Sequence, residues 1–148
     1  MNTPVTTPLH IVCPHCHTTN RVASDQFASA PTCGKCKLAL FDAHPVELDA
    51  ASFDKHISRN QIPVVVDFWA PWCGPCRMMA PAYEQATAQL EPTVRLAKLN
   101  TEAHLQPAAQ FNIRSIPTMV LFRDGKEVAR QSGAMSSADI VRWVRSGL

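Results

Sequence analysis

Three pairs of cysteines, each pair enclosing two residues, punctuate the chain: Cys13/Cys16, Cys33/Cys36 and Cys73/Cys76, which accounts for all six cysteines. In a reducing compartment such pairs serve as metal ligands or redox thiols more often than as structural disulfides. The first two pairs stand sixteen residues apart, the spacing of a two-knuckle zinc site in which each tight turn aims two sulfurs at one ion. Cys13, Cys16, Cys33 and Cys36 are therefore the candidate ligands of one structural Zn²⁺. His15 and His17 are chemically able to replace a sulfur, but four well-spaced cysteines leave no vacancy. Cys73 and Cys76 have no second pair within their own segment and need another explanation.

Phe68-Trp69-Ala70-Pro71-Trp72-Cys73-Gly74-Pro75-Cys76 runs from an apolar strand through a short loop into a helix starting near Cys73. Free N–H groups and the positive end of the helix dipole stabilise an anion there. The thiolate is the reactive form of cysteine, so Cys73 is placed to be a partly exposed nucleophile. Cys76 lies one turn on, along the same face, and can close a disulfide with it. Pro75 is tolerated because its missing N–H costs little so early in a helix. Two buried structural cysteines, or half a metal site, is the plainer reading; the flanking tryptophans argue against it.

Asp67 interrupts the apolar strand six residues before Cys73. If buried, its pKa rises and it can exchange a proton with Cys76; if it stands at a strand end, it reaches solvent and does nothing special. Lys98 sits in another apolar strand, either paired with Asp67 or on a solvated edge. Ile116-Pro117 is an X-Pro bond with a choice of isomers. In the cis form, backbone groups there could pair with an extended substrate strand.

The elements that must position these residues follow from pattern. Val46–Leu48 is a short strand, and Asp49 or Ser52 caps a helix to about Asn60. Val64–Ala70 reads as a central strand buried on both faces. A helix from Gly74 to about Leu90 carries Met79, Tyr83, Ala86 and Leu90 as one stripe, with Pro81 expected to kink it. A strand over Val94–Leu99, a short helix over Leu105–Phe111, a hairpin turning at Asp124-Gly125 and a final helix capped by Ser136 or Ser137 complete an α/β segment. Residues 1–45 hold little apolar material and need a staple to fold. The expected division is a zinc-binding module over 1–45 and an α/β domain over 46–148.

The 148 residues are 46% hydrophobic and 18% charged, with a net charge of +2. That is the composition of a globular protein, with too little positive charge for a nucleic-acid surface. The longest apolar runs fall far short of the roughly 20 residues of a membrane span. Met1–Pro8 lacks the features of a signal peptide, which makes the cytoplasm the expected location. A monomer is the default.

Val64 to Cys76 resembles the active-site signature of the thioredoxin family. Ala97-Lys98-Leu99-Asn100, Ile113-Arg114-Ser115-Ile116-Pro117-Thr118, Phe122-Arg123-Asp124-Gly125 and Ser132-Gly133-Ala134 match further segments of that family in order, so the likeness covers residues 46–148. It implies the thioredoxin fold, a mixed sheet of five strands flanked by helices. It implies Cys73 as nucleophile, Cys76 as resolving thiol, Asp67 with Lys98 as the buried proton-transfer pair, and a cis Pro117. Trp72, Gly74, Pro75, Ile116, Pro117 and Gly133 would form the substrate surface. The activity implied is protein-disulfide reduction, with disulfide-containing proteins as substrates and thioredoxin reductase as the regenerating partner. That partner uses NADPH, so this chain needs no bound organic cofactor.

The N-terminal module joined to such a domain resembles a zinc-bearing branch of the bacterial thioredoxins, including Leu40-Phe41-Asp42 at the module's end. Met1–His10 is a longer leader than that likeness requires and receives no role. Other readings compete with this one: an oxidase or isomerase of the same fold is disfavoured by Gly74-Pro75 between the cysteines. Cys13-Pro14-His15-Cys16 is also the string of oxidising thiol enzymes, but a polar stretch follows it and 45 residues cannot hold a second such fold. Arg21, Lys35 and Lys37 make a poor basic patch for nucleic acid. Oxidation of the zinc thiolates would give the module a sensing role.

Overall fold

The computed structural model describes residues 7–148; Met1–Thr6, part of the leader, lie outside the described residues. The C-terminal sheet has five strands in the order β3 (Val46–Leu48), β5 (Arg95–Asn100), β4 (Val64–Trp69), β6 (Thr118–Arg123), β7 (Lys126–Ser132). β3, β5 and β4 run parallel, whereas β6 and β7 are antiparallel to their neighbours. β4 is central, and its Val, Phe and Asp side chains are all buried, as expected of a strand covered on both faces.

Two cores lie on the two faces. On one, the stripe Met79, Tyr83, Ala86 and Leu90 of α2 (Gly74–Leu90) packs with Ile140, Val141 and Val144 of α4 (Ser137–Ser146) on Val65, Leu96, Met119 and Leu121. On the other, α1 (Phe53–Arg59) and α3 (Leu105–Gln110) cover Val64, Val66, Phe68 and Leu99. There Phe53, Phe111 and Phe122 meet edge to face. α2 continues past Pro81 as one element. Ser136 caps α4 by accepting a hydrogen bond from the Asp139 N–H.

The N-terminal segment contains a hairpin that the sequence reading lacks. β1 (Pro8–Val12) pairs antiparallel with β2 (Thr19–Ala23), so Pro8–His10 is strand rather than leader. The connecting turn is the first cysteine knuckle, not a glycine turn, which is why no hairpin signal stood in the sequence. Ile11, Val22, Leu40 and the cysteines form a small core that takes in Ile62 of the larger segment.

This N-terminal segment docks at the start of β4 and β5, the end of the sheet opposite Cys73. Val12 N–H donates to Asn60 Oδ1 (2.8 Å), His10 N–H to Gln61 Oε1 (2.7 Å), and Gln61 N–H to the His10 carbonyl (2.9 Å). Arg95 is fully buried. Its Nη2 donates to the Leu40 and Val12 carbonyls (2.7 and 3.3 Å) and its Nη1 to Glu91 Oε2 (3.1 Å), while its guanidinium lies 4.5 Å from the Phe41 ring centre. Glu91 Oε1 in turn accepts from the Ala43 N–H (2.8 Å). One buried ion pair thus ties the hairpin, the connector and β5 together.

Candidate functional site

Cys73 is the N-cap of α2, and its Sγ accepts a hydrogen bond from the Cys76 N–H at 3.3 Å. The sulfur thus occupies the place of a capping oxygen, where an anion is favoured by both the free N–H and the helix dipole. Cys73 and Cys76 form a disulfide, with Cα atoms 5.3 Å apart, as one helical turn allows. The expected partial exposure of Cys73 is not found in this oxidised form. Cys73 and Cys76 pack with Ala70, Trp69 and Ile116 and keep only 5% and 3% exposure, whereas Trp72 beside them is 69% exposed.

Against the cysteines lies Ile116-Pro117, whose bond is cis. Cys73 Sγ faces the Ile116 carbonyl at 3.8 Å. Gly133 stands next to it: its N–H donates to the Pro117 carbonyl (2.9 Å) at φ +97°, a conformation that penalises any side chain. A Cβ on Gly74 would meet no atom within 4 Å. Trp72, Gly74 and Pro75 adjoin the cysteines along the chain, Ile116 packs on them, and Gly133 is tied to Pro117.

Asp67 is 1% exposed, which removes the solvent-reaching alternative. Alternation along β4 puts it on the face covered by α2, between Val65 and Trp69. Burial pushes its carboxyl up to about 7; Lys98 pulls it down and Glu47 adds to the rise. Its Oδ1 has no hydrogen-bond partner. Lys98 is its register partner on β5. The two make no ion pair among the described residues: the Lys98 Nζ lies instead 4.4 Å from the centre of the Trp69 ring. This contact and the Glu47 charge acting on Asp67 were not visible in the sequence, which relates neither Trp69 nor Glu47 to Lys98.

The four N-terminal cysteines converge, with all sulfurs within 4.8 Å of one another. Cys13–Cys36 and Cys16–Cys33 Sγ separations are both 3.6 Å. A zinc–sulfur distance of about 2.3 Å in a tetrahedron requires edges of about 3.8 Å, so the set fits one zinc ion. The two knuckles repeat one geometry. His17 and Lys37, each four residues after the first cysteine of its knuckle, have φ near +65° and donate N–H to the carbonyls of Cys13 and Cys33. Backbone N–H groups also point at the sulfurs, His15 to Cys13 (3.3 Å) and Lys35 to Cys33 (3.4 Å). The Cys36 N–H is the largest of several donors that draw Cys33 down to about 5, while burial pushes Cys13 up to about 12.

Neither nearby histidine joins this cluster among the described residues. His15 Nε2 lies 3.5 Å from Asp42 Oδ2, and His17 Nδ1 lies 2.9 Å from Nε2 of His56 on α1. His56 is wholly buried and drawn down to about 3 by that burial, so it is neutral. Nothing in the sequence singled it out.

A mixed five-stranded sheet carrying a disulfide at the N-terminus of its second helix, with a cis-proline turn against it, defines a thiol–disulfide oxidoreductase. Comparison with known proteins gives the family. Residues 44–146 match the family model Thioredoxin, and residues 12–37 match the model described as "Thioredoxin 2, N-terminal", a zinc ribbon. Thioredoxin C-3 of Corynebacterium nephridii is 46% identical over 90% of this chain and 92% of its own length. A thioredoxin of Synechocystis is 45% identical over 60% of this chain and 83% of its own, and one of Haemophilus influenzae is 35% identical over 67% and 92%. The chain belongs to the thioredoxin family. It is accordingly a protein-disulfide oxidoreductase with a four-cysteine, zinc-ribbon-like N-terminal segment. No helix among the described residues is long and apolar enough to cross a membrane.

Proposed function

We propose that this protein reduces disulfides of other proteins through Cys73 and Cys76, with Asp67 as the proton acceptor of the second step. The observation that carries this reading is the Cys73 sulfur serving as N-cap acceptor of α2, one turn from Cys76. The Cys73 thiolate attacks one sulfur of a substrate disulfide, forming a mixed disulfide and expelling the other sulfur as a thiolate. Cys76 then gives its proton to Asp67 and attacks the Cys73 sulfur. The Cys73–Cys76 bond forms, the mixed disulfide breaks, and the substrate leaves as a second thiolate with two electrons gained. Lys98 tempers the charge of Asp67. Trp72, Gly74, Pro75, Ile116, Pro117 and Gly133 receive the extended substrate segment.

The same reading divides the chain into a zinc module over 1–45 and a catalytic domain over 46–148. Cys13, Cys16, Cys33 and Cys36 hold one structural zinc ion, which when bound supplies cross-linking rather than chemistry. The module's place at the far end of the sheet supports this. β4 has six residues, which at ~3.3 Å each put roughly 20 Å between the two sulfur sets, beyond direct thiol exchange. Thioredoxin reductase, drawing on NADPH, would return Cys73–Cys76 to the dithiol, and no organic cofactor need sit on this chain. The location is cytoplasmic and the working form a monomer, with no nucleic-acid or membrane partner.

Trapping tests the assignment. A Cys76→Ser variant offered a disulfide-bonded protein should accumulate a stable mixed disulfide at Cys73, and Cys73→Ser should accumulate none. Capture at Cys76 instead, or at any of the four N-terminal cysteines, would overturn it.

A further inference from the structure

Ile116 packs on Cys73 and Cys76, and its carbonyl faces the Cys73 sulfur at 3.8 Å. The segment that carries it has no hydrogen-bond ladder of its own. Among the described residues, Arg114, Ser115 and Ile116 make no backbone–backbone hydrogen bond. Such free groups can pair with an extended substrate, but their position must be set by whatever holds the two ends of the segment. Side chains of β7 reach both ends. At the first, Arg130 Nη2 and Nη1 donate to the Phe111 and Asn112 carbonyls (2.6 and 3.3 Å), while its Nε and Nη2 form a fork on the Glu127 carboxylate (2.8 and 2.7 Å). In an unbroken strand, residues three apart point to opposite faces. Here Phe122 pairs with Glu127 and Leu121 with Ala129, so Val128 is an extra, bulged residue. Glu127, Arg130 and Ser132 thereby stand opposite Phe122, Val120 and Thr118, on one face of the sheet.

At the second end, the Thr118 hydroxyl donates to the Ser115 carbonyl (2.7 Å) and lies 2.9 Å from Ser132 Oγ. A hydroxyl carries one proton. Thr118 has given its own to a carbonyl, so Ser132 is the donor of the second bond, and the chain Ser132–Thr118–Ser115 runs in one direction. Beside it the Gly133 N–H donates to the Pro117 carbonyl (2.9 Å). An exposed Glu–Arg pair contributes little by itself. The fork on Glu127 instead fixes the plane of the guanidinium, so that its other donors meet the Phe111 and Asn112 carbonyls.

We propose that Arg130 and Ser132 are positioning residues for substrate recognition: from β7 they brace the two ends of the Phe111–Thr118 segment, so that the backbone around Ile116 is held ready for an extended peptide beside Cys73. The proposal rests on the reading of Ile116, Pro117 and Gly133 as substrate surface given above. Neither residue touches the reacting sulfurs, and no bond changes at either. A segment already fixed in its binding position loses less freedom when the peptide arrives, and that difference appears in recognition of the peptide rather than in thiol reactivity.

The test uses the full chain, reduced and zinc-loaded, and compares two oxidants by rapid mixing. One is a peptide cyclised through a single disulfide. The other is hydroxyethyl disulfide, which offers no peptide backbone to bind. Arg130→Met keeps most of the apolar stem and removes the donors; it should lower the second-order rate constant for the peptide about fivefold or more. Ser132→Ala should lower it about two- to threefold. Both should leave the rate for hydroxyethyl disulfide within about twofold of wild type, since the thiol itself is untouched. Ser132→Thr, which keeps the hydroxyl, should restore the peptide rate. An equal fall on both oxidants would place the effect on the thiol and overturn the proposal. Gly133→Val, which crowds the surface directly, separates the remaining failures. If it discriminates against the peptide while Arg130→Met and Ser132→Ala do not, the bracing role alone is overturned. If none of the three discriminates, the substrate surface itself is wrongly assigned, and the proposal falls with it.

Discussion

Replacing Asp67 by Asn should remove a pH-dependent cost built into the folded protein. Asp67 is almost wholly buried with an unpartnered Oδ1, and burial raises its carboxyl from 3.8 to about 7. The folded state therefore holds this proton more tightly than the unfolded chain. Stability from this group is fully present below the unfolded value and is lost as pH rises through the folded one. At about 1.4 kcal/mol per pH unit, the whole window is worth about 4 kcal/mol, and the part between pH 5 and 8.5 about 3 kcal/mol. Asn has nearly the same shape and no charge to bury, so its curve lacks this slope. Urea unfolding of the oxidised, zinc-loaded protein and of Asp67→Asn, at intervals from pH 5 to 8.5, gives the difference directly. The zinc site lies at the other end of the sheet and its own pH dependence should cancel between the two proteins. The variant should gain on wild type by about 3 kcal/mol across that range. A difference constant to within ~1 kcal/mol would refute the burial argument, since an ionised, unsolvated carboxylate cannot be free of cost.

Arg95→Met should cost about 3–5 kcal/mol, because it strands the buried Glu91 carboxylate and two carbonyls; adding Glu91→Gln should recover part of it in the same unfolding assay. Chelation of the metal should lower the melting temperature of the whole chain in one transition, because Arg95 joins the knuckles to β5; calorimetry showing two separate transitions would contradict that. Gly133→Val forces a β-branched side chain to φ +97° and should cost about 1–3 kcal/mol, while weakening peptide-substrate binding more than it slows chemistry, read as KM against kcat.

The parts of the fold that could be read in advance are those where one pattern has one cause. The α2 stripe from Met79 to Leu90 and the apolar β4 run each point to a single buried face. The three C-x-x-C pairs are local and need no tertiary context. Asp67 was ambiguous because a lone carboxylate in an apolar strand looks the same whether its strand end is covered or open; α2 decides it. Arg95 was silent for the same reason in reverse: an arginine opening a strand reads as solvated, and its burial depends on Phe41 and on Leu40 and Val12, the last two 55 and 83 positions away. The β1–β2 hairpin escaped because its turn is a cysteine knuckle rather than a glycine turn. Glu47 and Lys98 acquire a relation to Asp67 only when the strand order β3-β5-β4 places them in one row.

The measurement that bears most directly on the central claim is the reduction potential of Cys73/Cys76, obtained by equilibrating the protein against defined dithiol buffers. Thioredoxins as a class lie near about −270 mV and strong periplasmic oxidants near about −120 mV. A disulfide reductase built as described here should fall below about −220 mV. A value above about −180 mV would mean that the dithiol is the favoured form, and the protein would then be an oxidant or isomerase of disulfides rather than their reductant.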